Sequence, residues 1–287
     1  MVLMDGKKLA NTIQEDIAKE VLELSQRGVT PSLAVILVGN DPASQTYVNM
    51  KAKACKKVGI TSILYEMPAN IAQKDLLGMI ENLNNNNNLD GILIQLPLPA
   101  HINTDEILES VLPHKDVDGF HTQNSGKLHS GISGFVPATP LGIMSLLRHY
   151  NIDIKGKDVV IIGASNIVGK PLSALMLNAG ATVSICHIHT KDIDSYTKRA
   201  DIICVAVGKK NLLTKNMVKE GVTIVDIGIN RLDNGKIVGD VDFENVSPLC
   251  AFITPVPGGV GPMTIVSLLQ NTLKSAKARA SRISLSL

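Results

Sequence analysis

Apolar residues along this chain gather in short, nearly unbroken runs, separated by stretches where they recur every three or four positions. SLAVILVG at residues 32–39, SILYEM at 62–67 and GILIQL at 91–96 read as strands, with helices between them at 44–58 and 74–82. Further on, DVVIIG at 158–163, TVSICH at 182–187, DIICVAV at 201–207 and VTIVDI at 222–227 read as strands. Runs such as VVII and IICVAV lack the alternation of a half-exposed strand. They suit strands buried on both faces of a parallel sheet covered by helices. Regular exchange of strand and helix predicts an α/β fold with right-handed crossovers.

The pattern divides into two blocks. Residues 113–140 are rich in Gly, His, Ser and Pro with little periodicity, and read as a hinge. The helix TPLGIMSLLRHY opens the second block, with Thr139 as N-cap and Pro140 at its first position. Asp233-Asn234-Gly235 reads as a hairpin turn. A last helix, about 263–277, follows the loop ITPVPGGVGPMT and is expected to return to the first block. The expected domains are therefore residues 1–138 plus 262–287, and residues 139–261, the second a Rossmann-like parallel sheet, with a cleft between two α/β lobes. The tail 278–287 is expected to fray, and the asparagine run 84–88 to be a solvated loop.

Composition narrows the partners. The chain has 287 residues, 45% of them hydrophobic, with Lys+Arg 28 against Asp+Glu 26. A net charge of +2, 3% aromatics and no Trp give neither a basic field nor stacking platforms for nucleic acid. The four cysteines, Cys55, Cys186, Cys204 and Cys250, form no CxxC pair, so reduced buried thiols are expected and no metal site. No run is long and apolar enough for a signal peptide or membrane helix, which leads to the expectation of a cytoplasmic protein without membrane partners.

Two stretches carry candidate chemistry. After DVVIIG comes Gly163-Ala164-Ser165-Asn166-Ile167-Val168-Gly169, a variant of the glycine fingerprint for dinucleotides. Gly163 permits a tight exit from the strand, Ser165 can cap the next helix, and Gly169 lets that helix sit close to the sheet. The helix N-terminus would offer N–H groups to a pyrophosphate. The next strand ends at His187-Ile188-His189-Thr190-Lys191, without the acid that holds a ribose diol in NAD-selective folds. His189, Thr190 and Lys191 either meet a 2′-phosphate, favouring NADP with NAD still possible, or merely begin a surface loop.

In the first block, Tyr47 and Lys51 lie one turn apart on a helix and share a face. A lysine on a pocket-facing stripe can have a depressed pKa and act as base or proton donor, and Lys53, Lys56 and Lys57 would add to the depression. The alternative is a solvated basic face. Gln95 stands at the carboxyl end of its strand, where α/β sheets take ligands, and either orients a lysine amine or satisfies backbone. In KDVDGF, residues 115–120, a carboxylate either accepts hydrogen bonds from a ring edge such as a pterin's or caps a turn. In residues 253–264, Gly258, Gly259 and Gly261 would take positive φ and, with Pro257 and its neighbouring prolines as stiffeners, approach a flat ligand closely.

Taken together, NDPASQTYVNMKAKACKKVGI, DGILIQLPLPAHI, KDVDGFH, GASNIVGKP, KEGVTIVDIGIN, GKIVGDVDF and ITPVPGGVGPMT resemble the bifunctional methylenetetrahydrofolate dehydrogenase/cyclohydrolase family over almost the whole chain. The resemblance implies oxidation of 5,10-methylenetetrahydrofolate with NADP⁺, then hydrolysis to 10-formyltetrahydrofolate, in one-carbon metabolism, by a homodimer. It implies Lys51 as the catalytic lysine supported by Gln95, Tyr47 along the aminobenzoyl ring, Asp118 on the pterin, and Pro257 through Gly261 lining the folate cleft. Gly163, Ala164, Ser165, Ile188 and Ile229 would contact the cofactor. Many members carry GRS where this chain has Gly163-Ala164-Ser165, and Ser-Arg where it has Ile188-His189. A two-domain dehydrogenase of the shikimate or amino-acid type would share the Rossmann block but not YVNMK or PGGVGP. A binding module without turnover would not need the lysine.

Overall fold

The computed structural model describes residues 1–285, with side chains to residue 282. In chain order its strands and α-helices are β1 (Val2–Leu3), α1 (Gly6–Gln26), β2 (Ser32–Val38), α2 (Pro42–Val58), β3 (Thr61–Met67), α3 (Gln73–Asn84), β4 (Gly91–Ile94), α4 (Thr104–Ser110), α5 (Thr122–His129), α6 (Ala138–His149), β5 (Asp158–Ile162), α7 (Gly169–Asn178), β6 (Thr182–Cys186), α8 (Ile193–Thr197), β7 (Ile202–Val205), β8 (Val222–Asp226), β9 (Asn230–Arg231), β10 (Ile237–Val238), α9 (Phe243–Val246), β11 (Cys250–Ile253) and α10 (Val260–Leu285). They form two compact units. One comprises Thr12–Lys127, Ser133–Ala138 and the chain from Ile265 on; the other comprises Met1–Asn11, Leu128–Ile132 and Thr139–Thr264.

The first unit is built on a three-stranded parallel sheet in the order β3-β2-β4. Every residue of β2 and β4 is buried, as their unbroken apolar runs require. Ala34, Ile36, Ile92 and Ile94 pack against Leu76, Ile80 and Leu83 of α3. α10 closes this unit through Arg279, whose guanidinium grips Asp90 with Nε–Oδ1 and Nη2–Oδ2 distances of 2.8 and 2.9 Å. Asp90 is buried just before β4, and its carboxylate also accepts the Ser32 N–H at the start of β2. The expected fraying is therefore corrected: the helix continues to Leu285, and residues 286–287 lie outside the described chain.

The second unit carries a six-stranded sheet in the order β1-β11-β8-β7-β5-β6, parallel throughout. From β5 the chain crosses over α7 to β6 on one side, then over α8 to β7 on the other. Strand order thus reverses at β5, the kind of switch point where α/β sheets bind ligands. The hairpin β9–β10 turns at Gly235 with φ +79°. β1 pairs with β11, so residues 1–11 go with this sheet, whereas the sequence reading gave residues 1–138 to the other unit. A two-residue strand gives no periodicity to read. All four cysteines are free and buried. Among the described residues no helix is long and apolar enough to cross a membrane.

Candidate functional site

The helix bearing Lys51 is framed at both ends by its own sequence. Asp41 caps it, accepting the Ser44 N–H at 2.7 Å, Pro42 occupies its first position, and Gly59 ends it at φ +80°. α2 accordingly starts two residues before the expected 44. Tyr47 and Lys51 are both half-buried, one turn apart. The Lys51 ammonium donates to Gln95 Oε1 at 3.1 Å, and Gln95 Nε2 donates to the Leu96 carbonyl at 2.7 Å. The second bond fixes which way the amide faces and leaves its oxygen for the lysine. Gln95 itself is held because its N–H extends the ladder to Ile36 O at 2.9 Å.

Burial lowers the Lys51 pKa, while the Asp118 carboxylate and, more weakly, Cys55 act to raise it. This corrects one expectation: Lys53, Lys56 and Lys57 are exposed on the outer face of α2 and are not among the causes. Burial also pushes the Asp118 carboxyl up to about 6, against the pull of Lys51. Lys51, Gln95 and Asp118 therefore form one electrostatically coupled group within the first unit.

Asp118 is set in place by its neighbours, and here the segment expected to be a hinge proves firmly built. Lys115 is buried and its ammonium donates to the carbonyls of Leu83, Asn84 and Asn86 at 2.9, 2.7 and 2.6 Å, capping the C-terminal end of α3. Asp116 accepts the N–H groups of Phe120 and His121 and the Asn124 amide, at 3.2, 2.9 and 2.8 Å, which anchors the start of α5. The Val117 carbonyl accepts from Asn271 of α10 at 2.8 Å. Gly119 turns the chain at φ +72°, where a Cβ would meet the Pro137 nitrogen at 2.8 Å. Asp118 takes part in none of these clamps. The asparagine run is the expected solvated loop over 85–88, where every residue is exposed, while Asn84, at the end of α3, bonds the Ser110 carbonyl and the Leu112 N–H.

The dinucleotide candidates lie in the second unit. Gly163 leaves β5 at φ +122°, and a Cβ there would sit 2.4 Å from Ala206 O; one on Gly169 would sit 1.9 Å from Gly163 O. Both glycines are required for the loop to fold onto itself. The Ser165 hydroxyl accepts the N–H groups of Val168 and Gly169 at 3.2 and 3.4 Å. Ser165 thus plays the capping part expected of it and partly engages those N–H groups before any ligand arrives. Ala164 is half-buried and Ser165 exposed. Ile188 is 93% exposed and Ile229 48%, and Ile167 and Val207 are exposed at 40% and 41%. Each of the four loops leaving β5, β6, β7 and β8 thus presents an uncovered aliphatic residue at the carboxyl edge of the sheet. Sequence reading missed Ile167, inside the glycine loop, and Val207, which closes the apolar run 202–207. After β6, Thr190 Oγ1 accepts the His187 N–H at 2.9 Å and closes the turn, while His189 and Lys191 are exposed. The exposed His189 and Lys191 are basic donors of the kind that fit a 2′-phosphate, and the adjacent Asp192 is engaged in capping α8, accepting the Ser195 N–H at 3.3 Å.

In the loop after β11, Gly258 alone of the three expected glycines takes positive φ, at +107°. Gly259 is buried and glycine for another reason: a Cβ would lie 2.6 Å from Pro255 O and 2.8 Å from Thr254 Cβ. Gly261 is half-buried in the first turn of α10 with open space at its Cβ position, and Pro257 is exposed. Thr139, expected as an N-cap, already lies inside α6 and shares a hydroxyl hydrogen bond of 2.9 Å with Thr264.

Comparison with known proteins shows the family. Residues 4–118 match the catalytic domain of tetrahydrofolate dehydrogenase/cyclohydrolase, and residues 137–280 match its NAD(P)-binding domain. The bifunctional protein FolD of Helicobacter hepaticus is 65% identical over 279 residues, covering 97% of this chain and 98% of that protein. The crystal structure of the bifunctional FolD enzyme from Campylobacter jejuni superposes with a TM-score of 0.96 at 60% identity, covering 97% of this chain and 99% of the other. The Trypanosoma brucei dehydrogenase-cyclohydrolase, solved with NADP cofactor and inhibitor, gives a TM-score of 0.93 at 37% identity, covering 96% and 97%. The chain belongs to the tetrahydrofolate dehydrogenase/cyclohydrolase family.

Proposed function

We propose that Lys51 moves the proton in an enzyme that oxidises 5,10-methylenetetrahydrofolate to the 5,10-methenyl cation and hydrolyses that cation to 10-formyltetrahydrofolate. The observation that carries the reading is the half-buried Lys51 amine, hydrogen-bonded to Gln95 and facing the field of Asp118. NADP⁺ supplies the hydride acceptor for the first reaction. In that step the nitrogens flanking the one-carbon unit stabilise the positive charge, no hydroxyl proton is removed, and the protein's task is alignment. The second reaction adds water to the methenyl carbon. The oxygen–carbon bond forms, the water oxygen gives up both its protons as it becomes the formyl carbonyl, the ring carbon–nitrogen bond breaks, and the freed ring nitrogen takes one of the two protons. One proton is released overall.

A lysine whose pKa is lowered by burial can accept the water's proton as free amine and return one to the leaving nitrogen as ammonium. Gln95 Oε1 holds that amine in one direction through either protonation state. Asp118, with an ionised carboxylate at neutral pH, accepts hydrogen bonds from the pterin N–H groups and offsets the ammonium. Tyr47, one turn earlier on α2, lies along the aminobenzoyl ring.

The test is Lys51→Met. Methenyltetrahydrofolate hydrolysis, followed by loss of its absorbance, is abolished, while NADP binding measured by calorimetry matches the parent enzyme. A variant that hydrolyses at the parental rate refutes the role.

A further inference from the structure

The motifs VDIGIN and GDVDF hold two carboxylates for which the chemistry above has no use. Asp226 ends β8 and Asp240 follows β10; both are buried. Asp226 Oδ1 accepts the N–H groups of Gly228 and Asp240 at 3.0 and 2.9 Å, and its Oδ2 accepts Val241 N–H at 3.0 Å. Asp226 therefore seats Asp240. The Asp240 carboxylate is in turn saturated: Oδ2 accepts Val207 N–H at 2.8 Å and Gly208 N–H at 3.0 Å, and Oδ1 accepts Lys209 N–H at 2.8 Å and Asn230 Nδ2 at 2.9 Å. Both acids press on bare backbone. A Cβ on Gly228 would lie 2.2 Å from Asp240 Cγ, and one on Gly239 would lie 1.8 Å from Asp226 Oδ2.

Residues 207–209 leave β7, and Ile229 and Asn230 leave β8, at the carboxyl edge of the parallel sheet. β6 lies on one side of β5, and β7 and β8 lie on the other. In a dinucleotide fold the pyrophosphate sits at the loop after β5 and the adenosine ribose at the end of β6. The other half of the ligand then extends over the ends of β7 and β8. The aliphatic residues uncovered there are Val207 and Ile229. One carboxylate thus ties both loops together through four charge-assisted hydrogen bonds.

We infer that Asp240 is a positioning residue for the nicotinamide half of NADP: without touching the ligand, it fixes the 207–209 loop and Asn230 so that Val207 and Ile229 form a preformed apolar ledge. This rests on the dehydrogenase reading. If the parent enzyme neither binds NADP nor oxidises methylenetetrahydrofolate, that reading falls on its own, before any variant is made.

Asp240→Asn is nearly isosteric, yet whichever way the amide turns, its NH₂ faces two donors and two of the four bonds are lost. With half of the tether gone the 207–209 loop is no longer held in its binding shape, so NADP affinity by calorimetry falls on the order of tenfold or more. Amide exchange at 207–209 in the ligand-free protein speeds up. Cyclohydrolase activity without NADP stays at the parental rate, since Lys51, Gln95 and Asp118 are in the other unit and the network touches none of residues 257–261. Asn230→Ala, which removes one bond of the four, gives a smaller shift in the same direction and serves if the first variant does not fold. Unchanged NADP affinity in the folded variant overturns the inference. So does an equal loss of binding and cyclohydrolase activity, which would mark Asp240 as a general structural residue.

Discussion

Adding one methyl group at residue 169 tests the dinucleotide loop directly. In Gly169→Ala the new Cβ would start 1.9 Å from Gly163 O and 2.7 Å from Gly163 C, whereas real Cβ contacts essentially never fall below 3.0 Å. Gly163 must therefore part from the start of α7 by 1.1 Å. Both atoms are backbone, and Gly163 is already at φ +122°, so no side-chain rotation relieves the clash. Overpacking of this kind costs about 1–3 kcal/mol in stability. A displacement of about 1 Å in a positioning element costs on the order of 100-fold in rate. The expected result is a strong loss of NADP-dependent oxidation, with a raised Kd for NADP, while cyclohydrolase activity at a temperature well below the variant's Tm persists. Parental NADP affinity and oxidation rate in the folded variant would refute the packing argument.

Two further outcomes follow from the other unit. Arg279→Leu leaves the buried Asp90 carboxylate without its guanidinium partner, and breaking a buried pair in this way costs about 3–5 kcal/mol; thermal unfolding of the variant at pH 7 shows a clear drop in Tm, and an unchanged Tm would contradict it. The Asp118 carboxyl titrates at about 6, so the ionised, hydrogen-bond-accepting form prevails above that pH and is lost below it. kcat/KM for the folate substrate therefore declines as pH falls through about 6, and Asp118→Asn lacks that limb. For stability the sign is opposite: the folded value lies above the ordinary 3.8, so this group favours folding when protonated, and that contribution disappears as pH rises through 6.

The strands were the most legible part of the chain, because VVII, IICV and AVILV can be apolar throughout only if they are buried on both faces. Lys51, Tyr47 and Gln95 were legible as candidates from helical spacing and strand-end position. Within KDVDGF, however, nothing local separates the two clamping residues, Lys115 and Asp116, from Asp118. Their partners lie in α3 and α5, and a sequence pattern carries no information about which carbonyls end up within reach. α5 was hidden for a similar reason: TQNSGKLH is polar and contains Gly126, and it is held by Asp116 rather than by an apolar stripe. The Asp226–Asp240 network was illegible because it joins three loops, those after β7, β8 and β10. Gly259 looked like a source of backbone freedom and is instead a matter of space.

The grip of Lys115 on the end of α3 has one more consequence. A tether through three carbonyls makes the distance from that helix to the turn a fixed length, so the two residues between Lys115 and Asp118 act as a measured arm. Lengthening the arm by a single residue would leave the anchor intact and swing the acid away from the amine it serves, which makes this turn, buried from Lys115 through Val117, intolerant of insertion.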